Sequence, residues 1–129
     1  MRLQRGGRLS KQKYICQAAA KGGYLEKLKV LREYGCPWDR KTCVCAAEGM
    51  FLEMLQWLRA NGCPWDEEAC VQAAEGGNLD ILLWLRENDC PWDENTITLA
   101  EEYGHEDIVT WAKANGAPDP DEVVDPFDF

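Results

Sequence analysis

The sequence predicts an all-α protein, an α-solenoid of stacked helix–turn–helix repeats. The first observation is the tetrapeptide CPWD, which begins at Cys36, Cys63 and Cys90 and so recurs every 27 residues. The second is that each interval holds two apolar segments with a glycine between them. A fixed period of roughly 20 to 50 residues is typical of arrays in which neighbouring units bury one another's apolar faces.

The repeat divides the 129 residues into three parts. Residues 1–8 form a basic leader, and residues 117–129 form an acidic C-terminal tail or cap. Between them lie four units of 27 residues, of which the first lacks CPWD: 9–35, 36–62, 63–89 and 90–116. Four units exceed the three or so that an array needs to be stable.

The first half of each unit predicts a short helix, at about residues 42–48 in the second unit and 67–75 in the third. Paired alanines in this helix allow a neighbour to pack closely. The dipeptides Gly49-Met50 and Gly76-Gly77 then break the chain, because glycine tolerates the left-handed geometry of a tight turn. One aspartate in each CPWD is placed to cap the helix at its start: Asp39, Asp66 and Asp93.

The second half of each unit predicts another helix with one apolar side. In the second unit Leu52, Leu55 and Leu58 follow one another at a spacing of three. A glycine such as Gly62 stops this helix, and the proline of the next CPWD prevents its continuation. Neither helix can bury its apolar side alone, so we expect the units to stack.

The run CVQAAEGGNLDILLWLREND in the third unit is similar to the helix–turn–helix body of an ankyrin repeat. In that family the alanine pair, the glycine turn and a leucine–acidic–hydrophobic step occur in this order, and Tyr103-Gly104-His105 resembles the family's Gly-His turn. An ankyrin repeat has about 33 residues, so this unit resembles a short variant without the β-hairpin finger. Such units look like arrays of some protists and large DNA viruses.

The resemblance implies a protein-binding face built from the first helices and the turns between units. We therefore expect a non-enzymatic protein–protein interaction module that binds an unknown partner protein or peptide there. The positions of this face that vary between units are the candidate partner-binding residues: Arg40, Lys41, Val44, Glu67, Glu68, Val71, Gln72, Glu94, Asn95 and Thr98. They change from basic to acidic along the stack, which would orient a partner of opposite polarity.

Charge also suggests an alternative, a structural repeat protein that associates with itself head to tail. The net charge of −9 divides into +7 over residues 1–35 and −16 over residues 36–129. The basic N-terminal end of one copy would meet the acidic C-terminal end of the next, and such an open contact builds filaments. The acidic body makes nucleic acid an unlikely partner, although the leader alone could contact phosphates.

The cysteines form two series, Cys36, Cys63 and Cys90, and Cys16, Cys43 and Cys70. Packed helices lie about 8–10 Å apart, whereas a disulfide needs Cα atoms within about 7 Å. We therefore expect no bridge within a series, while a close pair inside one unit stays open. Zinc sites use clustered cysteine and histidine ligands, and the chain has a single histidine, His105. We expect buried, reduced thiols and no metal.

The tryptophans form two further series, one in the turns (Trp38, Trp65, Trp92) and one in the second helices (Trp57, Trp84, Trp111). We expect the helix series to lie in the core and to stack between repeats, since it keeps the phase of the leucines. The turn series is expected to pack as well, with partial exposure as an aromatic binding strip as the alternative.

No arrangement of residues points to catalysis. His105 falls at a turn, carboxylate pairs such as Glu67 and Glu68 suit helix starts, and no phosphate-binding glycine motif occurs. We predict that the chain is not an enzyme and needs no cofactor. It has no apolar run of membrane length and no signal peptide, and its odd number of cysteines favours a reducing compartment. We expect an intracellular protein, cytoplasmic or nuclear, that does not engage membranes.

Overall fold

Eight α-helices account for the regular structure of the computed structural model, which describes residues 7–121, with side chains from residue 14 onward. No strand occurs between residues 7 and 121, so the all-α prediction is confirmed for this range. The helices are α1 (Gly7–Gly22), α2 (Leu25–Glu33), α3 (Arg40–Glu48), α4 (Leu52–Ala60), α5 (Glu67–Glu75), α6 (Leu79–Glu87), α7 (Glu94–Glu102) and α8 (Glu106–Ala114). None of the helices in this range is both long and apolar enough to cross a membrane.

The helices follow the 27-residue period of the sequence. We call α1, α3, α5 and α7 the first helices and α2, α4, α6 and α8 the second helices. All have nine residues except α1, which begins at Gly7, inside the predicted leader. The first unit has no CPWD proline, and a proline there would oppose extension of the helix toward the N-terminus.

Two sets of contacts hold the helices together. The first helices pack in series, each against the next, and each also packs against the second helix of its own unit. The second helices contact one another less closely. The first helices can approach because small residues line them: the alanine pairs at 19–20, 46–47 and 73–74 are all buried.

The core is made of the same positions in successive units. Leu28, Leu55 and Leu82 of the second helices are fully buried, and so are Leu58 and Leu85. Leu52 is only half-buried, and Met54 joins the buried side of α4 instead. The predicted apolar side of the second helix is therefore confirmed for Leu55 and Leu58.

The CPWD aspartates cap the first helices, as predicted. The Asp39 carboxylate accepts a hydrogen bond from the Lys41 backbone N–H at 3.1 Å. Asp66 and Asp93 do the same at the starts of α5 and α7, at 3.1 and 2.9 Å. Because each cap satisfies a backbone donor that the helix itself leaves free, α3 begins directly after Asp39, two residues earlier than predicted.

The turn between the two helices of a unit takes up the left-handed geometry at its second residue. Gly23, Met50, Gly77 and Gly104 have φ values between 64° and 77°. Gly49, to which the sequence assigned this geometry, has a φ of −78°. It has to be small for a different reason, since a Cβ there would lie 2.8 Å from the Lys21 carbonyl oxygen.

The residue after this turn covers the turn of the preceding unit. A Cβ on Gly23 would come within 2.7 Å of the Phe51 ring, and a Cβ on Gly77 within 2.5 Å of the His105 ring. The third member of the series, Asn78, has no ring, and it lines one cleft together with Met50. A ring, Phe51 or His105, thus lies over a turn that has glycine at its second residue. The smaller Asn78 stands at this position after the turn that has Met50.

The C-terminal end of the described chain closes over a small second cluster. Ile97, Ala112 and Ala117 are buried there, next to partly buried Trp92 and Trp111. Ala117 occupies the position of the CPWD cysteine. The predicted contribution of Val123, Val124 and Phe127 to this cover lies outside the described residues.

Replacing Asp89 with glycine should stabilise the protein. Asp89 has a φ of 63° at the end of α6, where the other units have Gly35, Gly62 and Gly116, and its side chain is exposed. Left-handed geometry costs a residue with a Cβ about 1–2 kcal/mol, part of which glycine loses again as chain entropy. We expect Asp89→Gly to raise the free energy of urea unfolding by about 0.5–1 kcal/mol.

The matched control is the reverse exchange at the equivalent turn of the second unit. Gly62 has a φ of 83°, and a Cβ there would meet no atom within 4 Å, so Gly62→Asp adds only backbone strain. It should lower the free energy of unfolding by a similar amount. Equal stabilities of the two variants would contradict the strain at Asp89.

Candidate functional site

The candidate partner-binding residues occupy corresponding positions in α3, α5 and α7. Those in the first turn of each helix have exposed side chains: Arg40, Lys41, Glu67, Glu68, Glu94 and Asn95. We call these six residues the first-turn row. Because α3, α5 and α7 pack in series, the row runs across three neighbouring units and changes from basic to acidic.

The remaining candidates lie deeper. Val44, Gln72 and Thr98 are half-buried, whereas Val71 is only 5% exposed. Val71 belongs to α5, which is packed between α3 and α7, and it is therefore unavailable to a partner. The assignment of Val71 to the binding face is wrong.

Some polar groups of this face already have partners inside the chain. The Arg40 guanidinium lies 3.1 Å from the carboxylate of Asp66, the cap of the next first helix. The Gln72 amide donates a hydrogen bond to Glu68 at 3.4 Å, and the Thr98 hydroxyl donates to the Glu94 carbonyl at 3.0 Å. Arg40 thus contributes to the contact between units as well as to the charge of the row.

The tryptophans pair between their two series and not along either one. The ring centroids of Trp38 and Trp57 lie 5.8 Å apart, edge to face, and the pairs of the next two units are at 5.8 and 5.7 Å. All six rings are half-buried and pack against the core. The predicted stacking of equivalent tryptophans between repeats is therefore wrong, since each pair forms inside one unit.

An arginine from the preceding unit completes each pair. The Arg59 guanidinium stacks over the Trp65 ring at 4.0 Å and donates to the Cys63 carbonyl at 2.7 Å. Arg32 and Arg86 repeat both contacts with Trp38 and Trp92 and with the carbonyls of Cys36 and Cys90. We call these sets the arginine–tryptophan clusters: Arg32, Trp38 and Trp57; Arg59, Trp65 and Trp84; Arg86, Trp92 and Trp111.

Each cluster lines a shallow cleft between neighbouring units. The clefts have volumes of about 290, 290 and 390 Å³, and an asparagine that closes the second helix lies beside each: Asn61, Asn88 and Asn115. The sequence holds the signal for the arginines, which recur every 27 residues, four positions before each CPWD cysteine. Sequence reasoning missed their role because it followed only the aromatic series.

The cysteines form close pairs across unit boundaries. The Cys16 and Cys36 sulfurs lie 3.1 Å apart. In the next two units the Cys43 and Cys70 thiols donate to the backbone carbonyls of Cys63 and Cys90, both at 3.9 Å. Each pair joins a first helix to the turn that opens the next unit. The sequence left open a close pair of cysteines inside one unit, whereas the close pairs of the structure form between two units. All seven cysteines are free thiols, and Cys45 alone is not buried.

The pairing keeps these thiols neutral. Burial, and then the hydrogen bond with Cys36, raises the pKa of Cys16 to about 12. The bond to the partner thiol, and then burial, raises the pKa of Cys43 and Cys70. Because the thiolate is favoured only after unfolding, Cys16 contributes stability that is intact below about pH 9 and lost as the pH rises toward 12.

His105 bonds to the preceding unit. Its Nε2 lies 3.0 Å from the Glu75 carbonyl oxygen, which can only accept, so Nε2 carries the proton. The turn position predicted for His105 is confirmed, but its hydrogen bond spans two units. Among the described residues, no three or more side chains of histidine, cysteine, aspartate or glutamate cluster as metal ligands would.

Removing a cluster arginine should destabilise the fold more than removing an exposed one. Arg59→Ala leaves the Cys63 carbonyl without its charged donor and Trp65 without its stacked cation. We expect a loss of about 2 kcal/mol in urea unfolding. The matched control, Arg40→Ala, breaks an ion pair whose arginine is about half exposed and should cost no more than about 1 kcal/mol. Equal losses would show that the clusters do not hold the boundaries.

Thiol reactivity should follow the pairing. In the folded protein at neutral pH we expect Ellman's reagent to react first with Cys45, because the other six thiols are buried. All seven should react once the protein is unfolded in denaturant. The control is Cys45→Ala, which should abolish the early phase. An early phase that survives this substitution would show that a boundary pair is open to solvent.

No protein-family model matches the chain, and no curated protein matches it either. Its function therefore has to be inferred from the first-turn row, the arginine–tryptophan clusters and the thiol pairs themselves.

Proposed function

We propose that the chain is an α-solenoid of four short ankyrin-like repeats that serves as a non-enzymatic protein-interaction module. The solenoid is supported by the serial packing of the first helices and by the recurrence of the same buried positions every 27 residues. The likeness to ankyrin repeats rests on the order of alanine pair, glycine turn and second helix within each unit.

The observation that carries the proposal is the contrast between fixed and variable positions. Buried positions keep small or apolar residues in every unit, for example Ala46, Ala73 and Ala100. The exposed first-turn row changes from two cations on α3 to two carboxylates on α5. Stacking explains the buried positions but involves the row only through the ion pair between Arg40 and Asp66, so the row is where a partner can be selected.

The partner that fits this row is an extended peptide or protein segment with carboxylates at one end and cations at the other. Lys41 at the α3 end and Glu67 on α5 have no ion-pair partner among the described side chains, so both charges are available. Complementary charge of this kind speeds association and fixes direction more than it adds affinity. The seven free thiols suit a reducing compartment, the cytoplasm or the nucleus.

The test begins with peptides selected from a displayed random library against the immobilised protein. We expect bound peptides to carry opposite charges at their two ends. The double variant Glu67→Lys, Glu68→Lys should weaken their binding at least about tenfold, which corresponds to about 1.4 kcal/mol. Fluorescence anisotropy with a labelled peptide measures the change.

The matched control makes the same change in charge on second helices. Glu53 in α4 and Asp80 in α6 are exposed, so Glu53→Lys, Asp80→Lys should leave both the fold and peptide binding nearly unchanged. Circular dichroism checks that both variants stay helical. A selection that yields no binders, or binding that responds equally to both variants, would overturn the proposal.

A second candidate function is head-to-tail self-association, which the charges at the two ends favour. Residues 14–35 carry a net charge of +2, and residues 90–121 carry −7. Such an assembly would weaken as salt screens the attraction between its ends. This weakening with salt distinguishes head-to-tail association from a contact between two ends of like charge.

A further inference from the structure

The N-terminal end of the stack exposes apolar side chains. Ile15 in α1 is 48% exposed, Tyr24 before α2 is 58% exposed, and Val30 in α2 is 50% exposed. We call these three residues the N-terminal face. Single exposed apolar residues are common, but a group on one unit often marks a contact surface. The equivalent positions in the other units show which contacts these three residues lack.

The positions equivalent to Ile15 are buried in every later unit. Thr42, Ala69 and Thr96 are all fully buried. Thr96 belongs to the fourth unit, which is followed in this sequence by residues 117–129 and not by another repeat, so burial there does not depend on a following unit. The first unit differs because none of the other three units described lies before it. The surface exposed at Ile15 is therefore the one that a preceding unit would cover.

Tyr24 and Val30 also lie where later units meet their predecessor. The residues equivalent to Tyr24 include Phe51 and His105, which cover the glycine turn of the unit before them. The Tyr24 ring instead lies against Gly22 and Lys27 of its own unit. The residues equivalent to Val30 are the tryptophans of the second helices. Each of them pairs with a turn tryptophan, and an arginine from the preceding unit stacks over that turn tryptophan, as Arg32 does over Trp38. The N-terminal face thus continues the repeat-to-repeat interface, and none of the other units among the described residues covers it.

The opposite end of the stack is closed by polar groups. Lys113 stands in the arginine position and lies 3.8 Å from Asp119, which stands where the other units have tryptophan. Glu101 replaces the second alanine of the pair, and Ala117 is buried in the small cluster with Ile97. Among the described residues of this end, the one large exposed apolar side chain is Tyr103.

We infer that the N-terminal face binds the N-terminal face of a second copy of this chain, as a two-fold symmetric dimer. Up to residue 121 the C-terminal end exposes one large apolar side chain, Tyr103, so the described face that matches it best on another copy is the same face. A two-fold contact is closed and stops at two copies, whereas head-to-tail contacts continue. This dimer would leave the first-turn row of both copies free for a partner.

Charge gives this contact a distinctive response to salt. Residues 14–35 carry a net charge of +2, and Lys27 lies over the Tyr24 ring at 5.3 Å, beside the face. Two such ends repel each other in the dimer, and salt screens the repulsion. The dimer should therefore tighten as the salt concentration rises. Head-to-tail association between ends of opposite charge should weaken.

The experiment is sedimentation equilibrium of the full chain at low and at high salt. We expect species of 14.7 kDa and twice that mass only, with the dimer favoured at high salt. The double variant Ile15→Ser, Val30→Ser should weaken the dimer at least about tenfold, because it removes apolar area from the centre of the contact. The control Tyr103→Ser, which also truncates an exposed apolar residue, should have no effect.

Circular dichroism of both variants shows that the fold persists, since all three side chains are about half-exposed. A monomer at every concentration and salt, or a dimer that ignores the Ile15 and Val30 substitutions, would overturn the inference. Larger assemblies that dissociate in salt would also overturn it and would support the head-to-tail contact. None of these outcomes bears on peptide binding by the first-turn row, so the two proposals fail separately.

Discussion

The carbonyl oxygen of the cysteine that opens each unit is the group on which the packing of neighbouring units depends. Six residues, for example 61–66, join the second helix of one unit to the first helix of the next, and no described backbone N–H donates to the cysteine carbonyl there. The carbonyl is satisfied instead by an arginine four residues earlier, as between Arg59 and Cys63. The same guanidinium fixes the turn tryptophan, so one side chain sets both the backbone and the ring at each boundary.

The thiol pairs complete the boundary from the other side. Cys43 reaches from α3 to the turn at Cys63, while the Cys63 sulfur donates to the Asp39 carbonyl at 3.5 Å. A boundary is thus held on the first-helix side by small buried thiols and on the second-helix side by an arginine and two rings. The first helices can approach closely, whereas the second helices lie farther apart and leave a cleft at each boundary.

Local features of the sequence predicted local features of the structure. The caps at Asp39, Asp66 and Asp93 and the apolar side through Leu55 and Leu58 follow from short-range rules that need only neighbours in the chain. Apart from the tryptophan pairs inside each unit, the contacts that sequence reasoning missed are those between units: the arginine on its tryptophan, the paired thiols and the burial of Val71. Dividing the chain at CPWD separates Arg59 from Trp65 and Cys43 from Cys63, so each partner appears in a different unit.

The turn inside each unit and the residue of the next unit that lies over it together fix the order of the units. Phe51 fits over a turn residue without a side chain, Gly23, and His105 fits over Gly77 in the same way. Met50 brings a side chain to its own turn, and the unit that follows it carries Asn78 in place of a ring. The units share CPWD, but each turn therefore fits only a residue of suitable size from the next unit. Exchanging the second and third units would set the His105 ring against Met50, so these two units are not interchangeable.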